Sequence, residues 1–159
     1  MPKVNETHLA EIKLHPAAIV LPCLAVTGIT LNFWQLNLDT EILRIARFAG
    51  FSLTGAGFII LYLAFGSMLR ATATINPSEH SNKLVTGGVF ALSRNPIYVG
   101  WFLFILGIGI ANVSILTILV ATGMILTLHF GVILKEEEYL ERRFSEEYLD
   151  YKKSVRRWL

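Results

Sequence analysis

Charged residues and cysteine are both scarce in this sequence, and each shortage excludes a class of protein. Only 16% of the 159 residues are Asp, Glu, Lys or Arg, whereas soluble domains carry about 25%. A hydrophobic fraction of 53% and a mean hydropathy of +0.54 are typical of a membrane protein. The single cysteine, Cys23, excludes an intrachain disulfide and a cysteine-based metal site. The net charge of +2 is too small to indicate a nucleic-acid partner.

Long uncharged stretches predict a single all-α membrane domain. Residues 95–134 contain no Asp, Glu, Lys or Arg. As one helix this stretch would measure about 60 Å, roughly twice the thickness of the bilayer core, so it must fold back on itself. We predict that it turns near residues 111–114. The predicted membrane-spanning helices are therefore four, at residues 17–34, 48–69, 95–111 and 114–134, and the last two form a helical hairpin.

The basic residues predict the orientation of this domain. With four spans, both termini and the loop 70–94 share one side of the membrane, and that side holds 12 of the 14 Lys and Arg residues. Cytoplasmic loops carry the excess of basic residues, which places both termini in the cytoplasm. The tail 135–159 is predicted to be an interfacial helix, since apolar residues recur along one face of it at helical spacing. That face consists of Leu140, Phe144, Tyr148 and Tyr151.

The start of the third span is the first candidate binding site. Asn95 is a favourable N-cap, and Pro96 suits the first helical position. The free N–H groups of a helix N-terminus, together with Arg94, form a site for a carboxylate or a phosphate. The alternative is that Asn95 and Pro96 only begin a helix and that Arg94 anchors it to lipid headgroups.

The end of the fourth span supplies the second candidate. Glu136 and Glu137 have only apolar, aromatic or acidic residues three and four positions away, so no local cation pairs with them. Such carboxylates favour an external partner, for example ribose hydroxyls or a cation; a solvated run of charge is the alternative. His129, about two turns earlier, is a polar residue inside a span and a candidate catalytic base. Glu79 and His80 have no further ligands nearby, so no metal site is predicted.

The order of these motifs resembles the isoprenylcysteine carboxyl methyltransferase family, and the related phospholipid methyltransferases share part of it. The resemblance covers about residues 84–158. It consists of Gly-Val-Phe, Arg-Asn-Pro-Ile-Tyr-Val-Gly, an apolar hairpin, Glu-Glu, and then Phe-Ser-Glu-Glu-Tyr. Three positions differ from a frequent family residue. Many members have His where this chain has Asn95, although Asn is also common. Ser145 replaces a frequent Gly, and Val132 stands where the eukaryotic enzymes have an Arg thought to orient the substrate carboxylate.

The resemblance implies a cofactor, S-adenosylmethionine, and a site for it between the hairpin and the tail. It implies that Arg94, Asn95, Pro96 and Tyr98 line the pocket near the methionine moiety. Glu136 and Glu137 would contact the ribose or the sulfonium.

The expected function is methyl transfer to a lipid-borne or apolar acceptor, an isoprenylcysteine-type carboxylate by resemblance. Such an enzyme would have membrane lipids as partners and need no metal. Two alternatives stay open. One is an NADPH-dependent enzyme of the sterol-reductase type, which normally needs more spans. The other is a non-catalytic membrane scaffold or a small transporter, although no acidic residue lies inside a span.

Overall fold

The computed structural model describes residues 15–31, 36, 38–73 and 84–159. The loop residues Glu79 and His80, named above, lie outside these ranges. The described elements are helical, which confirms the predicted all-α class. They are α1 (Pro16–Thr30), α2 (Thr40–Ala73), a 3₁₀ turn (Gly88–Ala91), α3 (Pro96–Ala111), α4 (Ile115–Leu128), a π-helical turn (His129–Ile133), α5 (Leu134–Phe144) and α6 (Glu146–Ser154).

Helices α1 to α4 alternate in direction and pack as a bundle. The end of α1 meets the start of α4, where the buried hydroxyls of Thr30 and Thr117 are 2.9 Å apart. The Ser114 hydroxyl donates to the Thr30 carbonyl beside them at 3.3 Å. At the same end of the bundle, the start of α2 lies against Ala111 at the end of α3. The opposite end therefore collects the starts of α1 and α3 and the end of α2.

Two helices of the described chain are long and apolar enough to cross a membrane. They are Thr40–Ala71 and the continuous helical stretch Ile115–Phe144. The apolar helices Pro16–Thr30 and Pro96–Ala111 are shorter, so four crossings stay a prediction. On the outer face of α2, large apolar side chains such as Phe48 (78% exposed) and Tyr62 (72% exposed) project outward. An apolar face of this kind fits contact with lipid better than contact with water.

Glycines allow α2 and α3 to pack with their backbones in close contact. A Cβ at Gly57 would lie 2.6 Å from the Phe104 nitrogen, and one at Gly107 would lie 2.5 Å from the Thr54 nitrogen. Small residues at such positions are the usual means of close helix association in membranes. The interface places the start of α3 beside the end of α2, where the cavity described below opens.

The predicted hairpin turn is confirmed between α3 and α4. Ser114 caps α4 by accepting a hydrogen bond from the Thr117 N–H. Val113 completes the turn with a φ of +52°. The two helices begin and end within a few residues of the predicted bounds, although the helical path continues past residue 134 through the π-helical turn into α5. For the first two predicted spans, α1 ends at Thr30, while residues 32–34 of the span 17–34 lie outside the described ranges. Helix α2 extends several residues beyond 48–69 at both ends.

The prediction of one continuous tail helix is wrong. Ser145 interrupts the helix with φ +47° and ψ −117°, a conformation that favours glycine, and thereby separates α5 from α6. The break turns α6 back toward the bundle. Tyr148 and Tyr151 are consequently buried rather than spread along an interfacial surface.

Candidate functional site

A cavity of about 730 Å³ lies at the end of the bundle where α1 and α3 begin and α2 ends. Its size is in the range of small-molecule sites, about 300–1,000 Å³. One part of its wall is apolar and includes Val20, Leu21, Phe65, Met68 and Trp101. The other part carries all six residues predicted as cofactor-binding, namely Arg94, Asn95, Pro96, Tyr98, Glu136 and Glu137. The two candidate regions of the sequence therefore form one site.

Asn95 stands at the N-cap position of α3, as predicted, but its side chain does not cap the helix. Its amide nitrogen instead donates to the Arg157 carbonyl at 3.1 Å, and its backbone N–H donates to the Ser93 hydroxyl at 3.1 Å. Pro96 occupies the first helical position. The start of α3 is thus attached to the segment that follows α6, a contact that local sequence rules could not indicate.

Glu137 is one of the most enclosed charged groups of the described chain, at 6% exposure. Both of its oxygens accept hydrogen bonds from the Arg157 guanidinium at 2.8 Å. A second guanidinium, that of Arg94, lies 3.3 Å from Oε1. The inference that Glu137 lacks a protein partner is therefore wrong, because its partners are remote in sequence and lie outside the local positions considered.

Glu136 differs from its neighbour in having a neutral partner. The Tyr98 hydroxyl donates to the two carboxylate oxygens at 3.1 and 3.0 Å. Glu136 is half-buried and forms no ion pair within 4 Å in the described part of the chain. His15, at the N-cap of α1, lies on the same cavity wall. Sequence reasoning did not identify His15, since nothing in its local pattern connects the start of α1 to α5.

The π-helical turn His129–Ile133 determines which way this pair of glutamates faces. A π-helical turn adds one residue to the helix and so rotates the following residues by about 100°. Val132 and Ile133 within the turn are fully buried. Beyond it, Glu136 and Glu137 face the cavity, whereas the Glu138 side chain is 66% exposed and pairs with Arg142.

Arg94 is the buried cation of the cavity, with 7% of its side chain exposed. One terminal nitrogen contacts Glu137, and the other donates to the Tyr148 hydroxyl at a long 3.4 Å. Its Nε is buried and has no hydrogen-bond partner among the described residues. A buried guanidinium with a free donor is suited to bind an anionic group of a ligand.

Two tyrosines of α6 close the site. The Tyr151 hydroxyl donates to the Phe90 carbonyl at 2.6 Å and so ties α6 to the 3₁₀ turn before α3. Burial raises the pKa of Tyr151 to about 12. Burial likewise raises the pKa of Tyr148. Both hydroxyls are therefore neutral at physiological pH.

His129, the predicted catalytic base, is not among the residues that line the cavity. Its ring lies 4.8 Å from that of Phe130 and 5.8 Å from that of Trp158, measured between centroids. Its Nδ1 is buried without a hydrogen-bond partner in the described part of the chain. Within those same ranges no group of three or more His, Cys, Asp or Glu side chains is arranged to hold a metal ion.

Comparison with known proteins gives a family profile and several similar enzymes. The sequence profile of the phospholipid methyltransferase family matches residues 45–147. The protein-S-isoprenylcysteine O-methyltransferase of Homo sapiens is 35% identical over 110 residues, which cover 60% of this chain and 38% of the relative. The Xenopus laevis enzyme of the same name is 33% identical and covers 60% and 37%. The Schizosaccharomyces pombe enzyme is 27% identical and covers 87% and 56%. The chain thus spans little more than a third of the length of the vertebrate relatives. No solved structure matches it.

Proposed function

Because the chain belongs to the phospholipid methyltransferase family, we propose that it is a membrane methyltransferase that uses S-adenosylmethionine to methylate an apolar, lipid-borne acceptor. The observation that carries the proposal is the convergence of Arg94, Asn95, Tyr98, Glu136 and Glu137 on one cavity with an apolar side. A polar end suits the cofactor, and an apolar end suits the tail of a lipid.

The residues present fit this cofactor. Arg94, with its unpartnered Nε, and the start of α3 would hold the carboxylate of the methionine moiety. Glu137 is already neutralised by Arg157 and Arg94, so Glu136 is the carboxylate free to face the positive sulfonium or a ribose hydroxyl. Tyr98 would hold Glu136 in place for either contact.

The chemistry is an in-line displacement, for which S-adenosylmethionine supplies a methyl group on a positively charged sulfur. The protein's part is to align donor and acceptor, and orientation alone can lower a barrier by roughly 7 kcal/mol or more. The apolar wall, including Phe65 and Trp101, excludes water and would hold the acceptor's tail. We place this site on the cytoplasmic side of a four-span bundle with both termini in the cytoplasm, the arrangement that the distribution of basic residues supports.

The acceptor proposed first is an isoprenylcysteine-type carboxylate, since the relatives described above are named for that substrate. A carboxylate is already a nucleophile at neutral pH and needs no base. The second candidate is a lipid amine. Two observations favour it: Val132 is a fully buried apolar residue, and Glu136 forms no ion pair within 4 Å among the described residues. An amine must lose a proton before it attacks, and Glu136 lies on the cavity, in reach of an acceptor there.

The test begins with binding in mild detergent. We expect micromolar binding of S-adenosylhomocysteine by calorimetry and no binding of NADPH. Glu136→Gln should weaken binding of S-adenosylmethionine, whose sulfur is positively charged, whereas Glu138→Gln, the matched control on the exposed face, should not. Transfer of labelled methyl from S-adenosylmethionine would then be compared for a prenylated cysteine and for a phospholipid with a primary amine. A folded protein that binds NADPH alone, or neither ligand, would refute the proposal.

A further inference from the structure

The segment after α6 is hydrogen-bonded to the start of α3, whose residues Arg94 and Asn95 line the cavity. The Arg156 carbonyl accepts a hydrogen bond from the Arg94 N–H at 3.0 Å. The Arg157 carbonyl accepts from the Ser93 hydroxyl at 3.2 Å and from the Asn95 amide at 3.1 Å. Ser93 and Asn95 are 1% and 9% exposed. Three consecutive residues at the start of α3 are thus held by two consecutive backbone carbonyls.

The Arg157 side chain makes the strongest polar contact of this segment. Its Nε and one terminal nitrogen donate to the two oxygens of Glu137, both at 2.8 Å. Paired contacts of a guanidinium with a carboxylate are the strong, geometrically specific form of this interaction. This bond raises the pKa of Arg157. The Arg94 contact with the same carboxylate is longer, at 3.3 Å, and involves one oxygen.

The charge of this cluster depends on Arg157. Two guanidiniums contact one carboxylate, so these three side chains together carry one net positive charge. Without Arg157, Arg94 would be the only cation within 4 Å of Glu137 among the described residues, and that pair would be neutral. An anionic ligand would then compete with Glu137 for Arg94. With Arg157 present, Glu137 is already paired, and the positive charge of Arg94 is available to the ligand.

We propose that Arg157 is a positioning residue of the cofactor site, which acts through Glu137 to keep Arg94 available for the ligand's carboxylate. The inference rests on the proposed function, because it takes the anion to be the methionine carboxylate of S-adenosylmethionine. Arg157 itself does not line the cavity, in contrast to Arg94 and Glu137. Its effect on the ligand is therefore indirect and specific to the anionic group.

The test compares two ligands that differ in that anion. S-adenosylhomocysteine carries the amino-acid moiety, and 5′-methylthioadenosine has the same nucleoside without it. Calorimetric titration of the full chain in detergent should show that Arg157→Ala weakens S-adenosylhomocysteine by about ten- to hundredfold, the range for a lost charge-assisted contact. Binding of 5′-methylthioadenosine should not change. Arg156→Ala, which removes an exposed neighbouring cation, is the matched control and should affect neither ligand.

Two further variants separate positioning from folding. If the alanine variant does not fold, Arg157→Gln replaces it, because glutamine removes the charge but keeps a polar side chain. Arg157→Lys retains the charge without the paired geometry and should recover part of the lost affinity. Equal weakening of both ligands, or an equal effect of Arg156→Ala, would overturn the proposal while leaving the methyltransferase assignment intact. No binding of S-adenosylhomocysteine by the wild-type protein would overturn both.

Discussion

The close packing of α2 on α3 makes Gly57 a position where a single added methyl group should destabilise the fold. A Cβ there would lie 2.6 Å from the Phe104 nitrogen and 2.7 Å from the Gly100 oxygen. Ordinary contacts of a Cβ begin at 3.4 Å. The obstructing atoms belong to backbone, so no rotamer change relieves the overlap, and the helices must separate by somewhat less than 1 Å. Overpacking of this kind costs about 1–3 kcal/mol.

The chain supplies its own control two residues away. A Cβ at Gly55 would meet nothing within 4 Å. Gly55→Ala therefore adds a methyl group to the same helix without a clash and gains helix propensity of up to about 1 kcal/mol. Thermal unfolding of the two detergent-solubilised variants should show opposite shifts. For a chain of this size 1 kcal/mol corresponds to roughly 2–4 °C, so Gly57→Ala should lower the unfolding temperature by about 2–12 °C.

The same variant should weaken ligand binding. The cavity wall includes Phe65 from α2 and Trp101 from α3, and a change in the separation of the two helices would displace these side chains relative to each other. We expect a loss of S-adenosylhomocysteine affinity in Gly57→Ala and none in Gly55→Ala. If Gly57→Ala is as stable as the wild type, the backbones are not in contact at this position, and the packing inferred between α2 and α3 is wrong.

Three other features give predictions. Ser145→Gly should raise the free energy of unfolding by about 1–3 kcal/mol, because φ +47° is strained for any residue with a Cβ. An unchanged stability of this variant in denaturant or thermal unfolding would contradict this conformation. Tyr98→Phe removes the hydrogen bonds to Glu136 and should weaken binding of S-adenosylmethionine about tenfold or more in calorimetry. Tyr62→Phe on the outer face should not weaken it. Burial raises the pKa of Tyr151 from its ordinary 10 to about 12, so the folded state favours the neutral form. The contribution of Tyr151 to stability is therefore complete below pH 10 and is lost between pH 10 and 12. Tyr151→Phe should abolish that part of the pH dependence, and an unchanged profile would show that another group causes it.

Hydropathy and local motifs were sufficient to predict most of the helices. The length of the uncharged stretch 95–134 required a turn, and Asn95 with Pro96 located the start of α3. The bounds of α2 were less accurate because hydropathy detects the apolar part of a helix, whereas α2 continues through turns that carry Glu41 and Arg44. The break at Ser145 had no signal in the local pattern, since serine is not the residue that its backbone conformation favours.

The six residues predicted to bind the cofactor line one cavity, but the contacts between them were not predicted. Both candidate regions were identified from local arguments, and the structure brings their six residues to one cavity. The partners of Glu137 could not be found in this way, because Arg94 and Arg157 are distant along the chain and meet it only after the tail folds back. The absence of a cation three or four residues away showed that Glu136 and Glu137 have no local partner. It could not show whether a ligand or a remote part of the protein would pair with them.

The two adjacent glutamates therefore have different tasks, although their sequence contexts are nearly the same. Glu137 is enclosed by two guanidiniums. Its carboxylate pairs with Arg157 of the tail and with Arg94, and so holds both in place. Glu136 accepts its hydrogen bonds from a neutral phenol and forms no ion pair within 4 Å among the described residues. The cavity consequently has a positive side at Arg94 and a negative side at Glu136. A ligand with a carboxylate at one end and a positive sulfur at the other matches this polarity, whereas a polyanion such as a dinucleotide phosphate would place charge against Glu136. These charges support the proposed sulfonium cofactor over the nicotinamide alternative.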